Sequence, residues 1–214
     1  MKSEITGITF DLSDMHLHGS AFYEFLALRK RFFVDTLAWD IPHNDDVEMD
    51  QYDNPTASYS VAIKDGRLVG GARLMRFSDT WGSHGCMLQD AAAGRIDGIP
   101  ADLLPKAHKF ANASECTRLV MSDELTSMEE RQECLALVVQ GLVELAIAQG
   151  SNDLVTLTVP GFRRSLRKLG YAAEQVGEKY RNKHDGRSYA ILSMPAVRAA
   201  QADDEVRLRR QANV

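Results

Sequence analysis

Apolar positions recur along the chain with two different periods, and each change of period predicts a change of element. Residues 20 to 37 place Phe22, Phe25, Leu26, Phe33 and Leu37 at helical spacing, which predicts an amphipathic helix. Ser58 to Ile63 instead alternates, with Tyr59, Val61 and Ile63 on one face, followed by the turn pair Asp65-Gly66 and a return run from Leu68 to Met75. That order predicts a β-hairpin. The longest helical stripe lies within residues 127 to 149, through Leu135, Val138, Val139, Leu142, Val143, Ala146 and Ile147. Thr126 and Glu129 fit a capping box at its start, and Gly150 fits its stop. Asp153 to Val159 is a β-branched apolar run, as expected of a buried central strand.

Weaker patterns fill the gaps. Glu4 to Phe10 and Glu115 to Met121 read as strands, as do residues 171–178 and 187–194. Pro160-Gly161 leads into a short helix that Gly170 closes. Residues 76–113 show little periodicity and read as loop with one short helix near Ala101 to Ala107. The tail after Pro195 reads as a loose helix. No internal repeat is visible. Strands and helices in this mixed order, with one long crossover helix, imply a single α/β domain over residues 1–195: a central mixed sheet flanked by helices as a three-layer sandwich. Residues 196–214 form a tail.

Composition changes this picture little. The 214 residues are 44% hydrophobic and 26% charged, enough for a core that needs no disulfide or metal. The formal charge of −5 excludes a broad basic footprint for nucleic acid. No apolar run reaches the ~18–20 residues of a membrane span. Met1-Lys2-Ser3-Glu4 carries no signal-peptide core, and Cys86, Cys116 and Cys134 form no CxxC pair. The expectation is a reduced, cytoplasmic protein. The distribution of charge says more than its sum. Residues 40–53 carry six acids and no Lys or Arg, whereas residues 163–168 carry four cations and no acid.

Four groups of residues can carry chemistry. Arg29 and Phe33 share a helix face, and Trp39, Asp50 and Asp53 follow. Arginine beside carboxylates makes charge-assisted hydrogen bonds, and aromatic rings there suit a cationic ligand; equally, the acids form a solvated loop and the rings belong to the core. Arg73 sits among small and apolar residues in GGARLM and must be paired if buried. Glu115 and Arg118, three apart in a strand, face opposite sides unless a bulge re-aims one. A buried Glu115 suits a general base or a structural ion-pair network. Arg163, Arg164, Arg167 and Lys168 form a ridge one helical turn apart, fitting an acidic partner or a solvated face. There is no Walker A loop, GxGxxG, GxSxG or HExxH motif. The acids at 45–53 lack the order of a calcium loop, so no metal is expected.

Taken in order, these groups resemble the acyl-homoserine lactone synthases, the LuxI-type autoinducer synthases. The resemblance rests on RKRFFVDTLAW followed by EMDQYD (Arg29, Phe33, Trp39, Asp50, Asp53), GGARLM (Arg73), ECTR (Glu115, Arg118), LVTLTV and RRSLRKLGY, and runs from about residue 5 to about residue 194. One stretch departs: WGSHGCMLQDAAAGRIDG stands where the family has a proline- and aromatic-rich segment ending in Phe, with Ala91 near that place.

The resemblance implies a GNAT-like N-acyltransferase fold. It implies S-adenosylmethionine as cosubstrate, an acyl thioester on the phosphopantetheine of acyl carrier protein or coenzyme A, and release of methylthioadenosine. Under it, Arg29, Phe33 and Trp39 shape the S-adenosylmethionine site, and Asp50, Asp53 and Arg73 order an N-terminal lid. Glu115 is the base and Arg118 contacts substrate or lid. Thr158 lines the acyl pocket, and Arg163, Arg164, Arg167 and Lys168 dock the carrier. Two other readings stand beside it. One is a GNAT-like enzyme acylating another amine from acyl-CoA, although the usual pyrophosphate loop is not visible between Val120 and Glu133. The other is a non-catalytic ligand-binding module.

Overall fold

The computed structural model describes residues 4–104, 110–183 and 185–198. Seven strands form one sheet: β1 (Ile5–Asp11), β2 (Ser58–Lys64), β3 (Arg67–Arg76), β4 (Ala113–Met121), β5 (Asp153–Thr158), β6 (Glu174–Arg181) and β7 (Ser188–Pro195), in the spatial order β1-β2-β3-β4-β5-β7-β6. All neighbours are antiparallel except β4 and β5. This parallel pair is short. It holds over Ala113↔Asp153 to Glu115↔Val155 and then stops, although both strands continue. The sheet therefore opens between β4 and β5 beyond Glu115.

Helices cover both faces. α3 (Met128–Ala148) packs across β1 to β5 on one face, with α4 (Phe162–Lys168) beside it contributing Leu166 to the same core. α1 (Ala21–Arg29), continued by a π-helical segment over Lys30–Thr36, packs on the other face with α2 (Met87–Ala92). The three layers expected from the element order are present.

Strand β3 explains how closely those layers approach. A Cβ on Gly70 would lie 2.5 Å from Cys134 Sγ of α3, and one on Gly71 would lie 2.8 Å from the Phe25 ring of α1. Two successive glycines, pointing to opposite faces, let both helices pack against the backbone of the same strand.

Local differences from the expected elements are small but physical. Ser127, not Thr126, caps α3: its hydroxyl accepts the Glu130 backbone N–H at 3.1 Å. The last hairpin shifts to Glu174–Arg181 and Ser188–Pro195. The short helix within 76–113 lies at Met87–Ala92. Residues 101–104 are not helical, and the rest of the expected helix near Ala101 to Ala107 falls outside the described residues. So does most of the tail beyond Pro195. Among the described residues, no helix is long and apolar enough to cross a membrane.

Candidate active site

The face of the sheet that carries α1 holds a lattice of buried charges. Arg29, the last residue of α1, has no exposed surface. Its Nε donates to Glu48 at 2.6 Å, and Nη1 and Nη2 donate to the two oxygens of Asp53 at 2.7 and 2.8 Å. Arg73 of β3, also without exposure, donates from Nη1 to Asp50 at 2.6 Å and from Nε to Thr117 Oγ1 at 3.1 Å, and lies 2.9 Å from Asp53. Arg118 of β4 donates from Nη2 to Asp50 at 2.7 Å and to Glu48 at 3.2 Å. Three guanidinium groups thus meet three carboxylates, and the lattice is neutral as a whole. Isolated burial of any one of these charges would be very costly, so each depends on the others.

One backbone N–H and one phenol hydroxyl complete the lattice. The Asp50 N–H and the Tyr59 hydroxyl both donate to Asp53. Among the described residues, no buried side-chain nitrogen or oxygen lacks a partner. Burial alone would raise the Asp53 and Asp50 carboxyls, but Arg73 with Arg29 or Arg118 outweighs it and holds both below the usual carboxylate range.

Arg118 reaches the lattice because β4 is bulged. Gly71 pairs with Val120 and Arg73 with Thr117, so two steps along β3 match three along β4. Arg118 takes the extra position with φ at 58°, a left-handed conformation rare for a branched-chain-sized or larger residue. The bulge turns its side chain to the face that already carries Glu115. An unbroken strand would have sent the two apart.

Glu115 stands next to the lattice but outside it. It is 1% exposed, and both of its oxygens accept the Leu88 backbone N–H of α2, at 3.2 and 3.3 Å. Burial pushes its carboxyl up to about 7, with the Cys86 side chain, the Leu88 N–H and Arg73 opposing that rise. It lies at the last paired position before β4 and β5 part.

An aromatic stack borders the lattice. Phe33 and Trp39 stack with centroids 4.9 Å apart, and the Arg118 guanidinium lies 5.3 Å above the Phe33 ring. The Trp39 Nε1–H donates to Asp185 at 3.0 Å, and the Tyr189 hydroxyl donates to the same oxygen at 2.5 Å. The hairpin of β6 and β7 therefore holds the indole in place from far along the chain.

The remaining expected residues lie elsewhere. Thr158 of β5 lines an apolar cavity of about 50 Å³ where the sheet opens, between Cys116 and Leu119 of β4, Thr156 of β5, and Val139 and Leu142 of α3. Arg163, Arg164, Arg167 and Lys168 are exposed on α4, and Arg167 also donates from Nε to the Ala173 carbonyl at 2.9 Å. Among the described residues, no group of His, Cys, Asp and Glu is arranged to hold a metal ion.

The structure thus brings Arg29, Asp50, Asp53, Arg73 and Arg118 into one lattice, with Phe33, Trp39 and Glu115 at its border. Glu48 is one acid among six in the 40–53 run, yet it bridges Arg29 and Arg118. Its signal was the Glu-x-Asp spacing: Glu48 and Asp50 are buried side chains on one stretch, whereas Asp40, Asp45 and Asp46 are exposed. Asp185 and Tyr189 left no local signal, since the contact to Trp39 spans 146 residues.

A family model described as autoinducer synthase matches residues 14–203. The chain is 28% identical over 214 residues to an acyl-homoserine-lactone synthase of Rhizobium radiobacter, covering 93% of this chain and 96% of that protein. In fold it is similar to TofI in a ternary complex with an inhibitor and MTA (TM-score 0.67, 22% identity, 89% and 91% of the two chains covered). It is similar also to BjaI, described as a CoA-dependent acyl-homoserine lactone synthase with SAM and isopentyl-CoA (TM-score 0.66, 19% identity, 92% and 84% covered).

Proposed function

Because the chain belongs to the autoinducer synthase family, we propose that it makes an N-acyl-L-homoserine lactone from S-adenosylmethionine and an acyl thioester and releases methylthioadenosine. The observation that supports this most is the placement of a buried, raised-pKa carboxylate, Glu115, where the sheet opens beside a neutral charge lattice and an aromatic stack.

The reaction has two steps. The amine of S-adenosylmethionine must first lose a proton to become a nucleophile, and Glu115 accepts that proton, directly or through one water. The amine attacks the thioester carbonyl, the C–S bond breaks, and the thiol leaves with a proton. Backbone N–H groups of β4 beyond its pairing with β5 donate to the developing oxyanion. The homoserine carboxylate then displaces the sulfonium leaving group at its own γ-carbon, closing the lactone. That step depends mainly on holding the chain folded back on itself.

The other residues take roles around this chemistry. Phe33 and Trp39 receive the sulfonium and adenosyl portion. Arg29, Arg73, Arg118, Asp50 and Asp53 hold the N-terminal lid in one geometry. Thr158 lines the acyl pocket. Arg163, Arg164, Arg167 and Lys168 dock an acidic carrier protein, or bind the phosphates of coenzyme A. The catalytic unit spans residues 1–195 with 196–214 as a tail, and the protein works in the cytoplasm, where its thioester donors are made.

The test is to incubate the protein with S-adenosylmethionine and a panel of acyl-carrier and acyl-CoA thioesters and to detect methylthioadenosine by mass spectrometry. Release that depends on the thioester supports the proposal. Acylation of another amine without methylthioadenosine would overturn it in favour of a general N-acyltransferase.

A further inference from the structure

The segment Trp81 to Gly98 contains a buried polar centre that the proposed reaction does not use. The Asp90 side chain on α2 has no exposure. Its carboxylate accepts from the Tyr52 hydroxyl at 2.8 Å, from His84 Nδ1 at 2.6 Å, from the Gly85 backbone N–H at 3.2 Å and from the Arg95 guanidinium. Burial would raise this carboxyl, but Arg95, His84 and Tyr52 outweigh it and keep the group ionised.

Three of those donors belong to the segment itself. The fourth does not. Tyr52 stands on the acidic loop between Asp50 and Asp53, and the Arg73 guanidinium lies 5.5 Å from its ring centroid. On the other side, α2 carries the Leu88 N–H that both oxygens of Glu115 accept, and its capping residue Cys86 also hydrogen-bonds that carboxylate. Asp90 is therefore the point where the helix that covers Glu115 is tied to the loop that forms the charge lattice.

We propose that Asp90 is a positioning residue for this reaction: it holds α2 against Tyr52, and so sets the placement of Glu115 relative to the lattice around Arg73. The proposal rests on the reading of Glu115 as the base. It assigns a task to the Trp81 to Gly98 segment, which carries Asp90 and three of its four donors. Replacing one Asp90 oxygen with an amide NH2 sets that NH2 against either Tyr52 and His84 or Gly85 and Arg95, so two donors lose their acceptor and α2 shifts to regain water. The charged or titratable groups that act on Glu115 are Arg73 from β3 and Cys86 from α2, while its strand neighbour Cys116 points to the opposite face, toward α3. A displaced α2 changes the Cys86 contact and admits solvent while leaving Arg73 and Cys116 in place.

The experiment uses the full chain and the variants Asp90→Asn, Tyr52→Phe and the double variant. The Glu115 carboxyl is followed by carbon NMR during pH titration, its signal assigned with Glu115→Gln. Turnover is read as methylthioadenosine release. In Asp90→Asn the Glu115 midpoint falls by at least about half a unit as water reaches it. The kcat falls at least about tenfold, with the KM for S-adenosylmethionine changed less than about threefold. Tyr52→Phe, which keeps the ring over Arg73 and deletes one hydroxyl, acts in the same direction, and the double variant goes no further than Asp90→Asn. Tyr52→Phe carries the test if Asp90→Asn does not fold.

An unmoved Glu115 midpoint in the folded variants, or effects of the two substitutions that simply add, would overturn the proposal. The titration is independent of turnover, so it judges the proposal even if the wild-type chain releases no methylthioadenosine, which would sink the functional reading instead.

Discussion

Glu115 shows how much one residue's environment decides. Its type suits a base, but its ordinary value of 4.5 would leave it a poor proton acceptor, and burial raises it to about 7. A base works only in its unprotonated form, so activity should be lost as pH falls through about 7. A kcat profile that stays flat from pH 7.5 down to about 5.5 would exclude Glu115 as the base. Glu115→Gln keeps the shape and removes the proton acceptor; kcat should fall about 10²–10⁴-fold with the fold intact by circular dichroism. The candidate role of Glu115 was legible from ECTR, because a carboxylate in an apolar strand invites it. The shared face with Arg118 was not, because it depends on a bulge that the side-chain pattern does not announce.

Among the elements, legibility tracked how local the stabilising contacts are. Helix α3 and the β2–β3 hairpin follow from periodicity, since a 21-residue amphipathic stripe and a tight Asp-Gly turn are encoded within a few residues. Helix α2 was missed because six residues carry too little periodicity; what holds it is distant, through Glu115 and through the Gln89 side chain donating to the Phe77 carbonyl at 2.9 Å. Strand β3 offers a direct check of the two-sided packing. Gly70→Ala places a Cβ against Cys134 Sγ and should cost about 1–3 kcal/mol, measured by denaturant unfolding. Helix α4 offers a check on docking. Arg164→Glu with Lys168→Glu should raise the KM for a carrier-linked substrate several-fold and weaken its salt dependence while leaving kcat near its original value. An unchanged KM would remove the docking role.

At the scale of the whole molecule, two sets of buried acids give opposite dependences of stability on pH. Asp50 and Asp53 sit below their ordinary 3.8, so their contribution is fully present above about 3.8 and is lost as pH falls beneath it. Glu115 sits above its ordinary 4.5, so its contribution is present below about 4.5 and is lost as pH rises toward 7. Between about pH 5 and 7.5 the melting midpoint of the wild-type chain should therefore fall relative to that of Glu115→Gln, which stays uncharged throughout. Asp53→Asn breaks the lattice and should lower stability by about 3–5 kcal/mol at neutral pH, because Arg29 and Arg73 then share too few carboxylates. The layers, the hairpins, the long crossover helix and most charged residues of the candidate site are legible in residue order, because periodicity and motif spacing are local. Which charges meet depends on the folded arrangement of distant segments. The acidic run of 40–53 divides into three exposed acids and three whose side chains are buried, and these pair with arginines 19 to 70 residues away. Such pairs depend on strand register, on one bulge and on the exclusion of water, and none of these is written in the order of neighbouring residues.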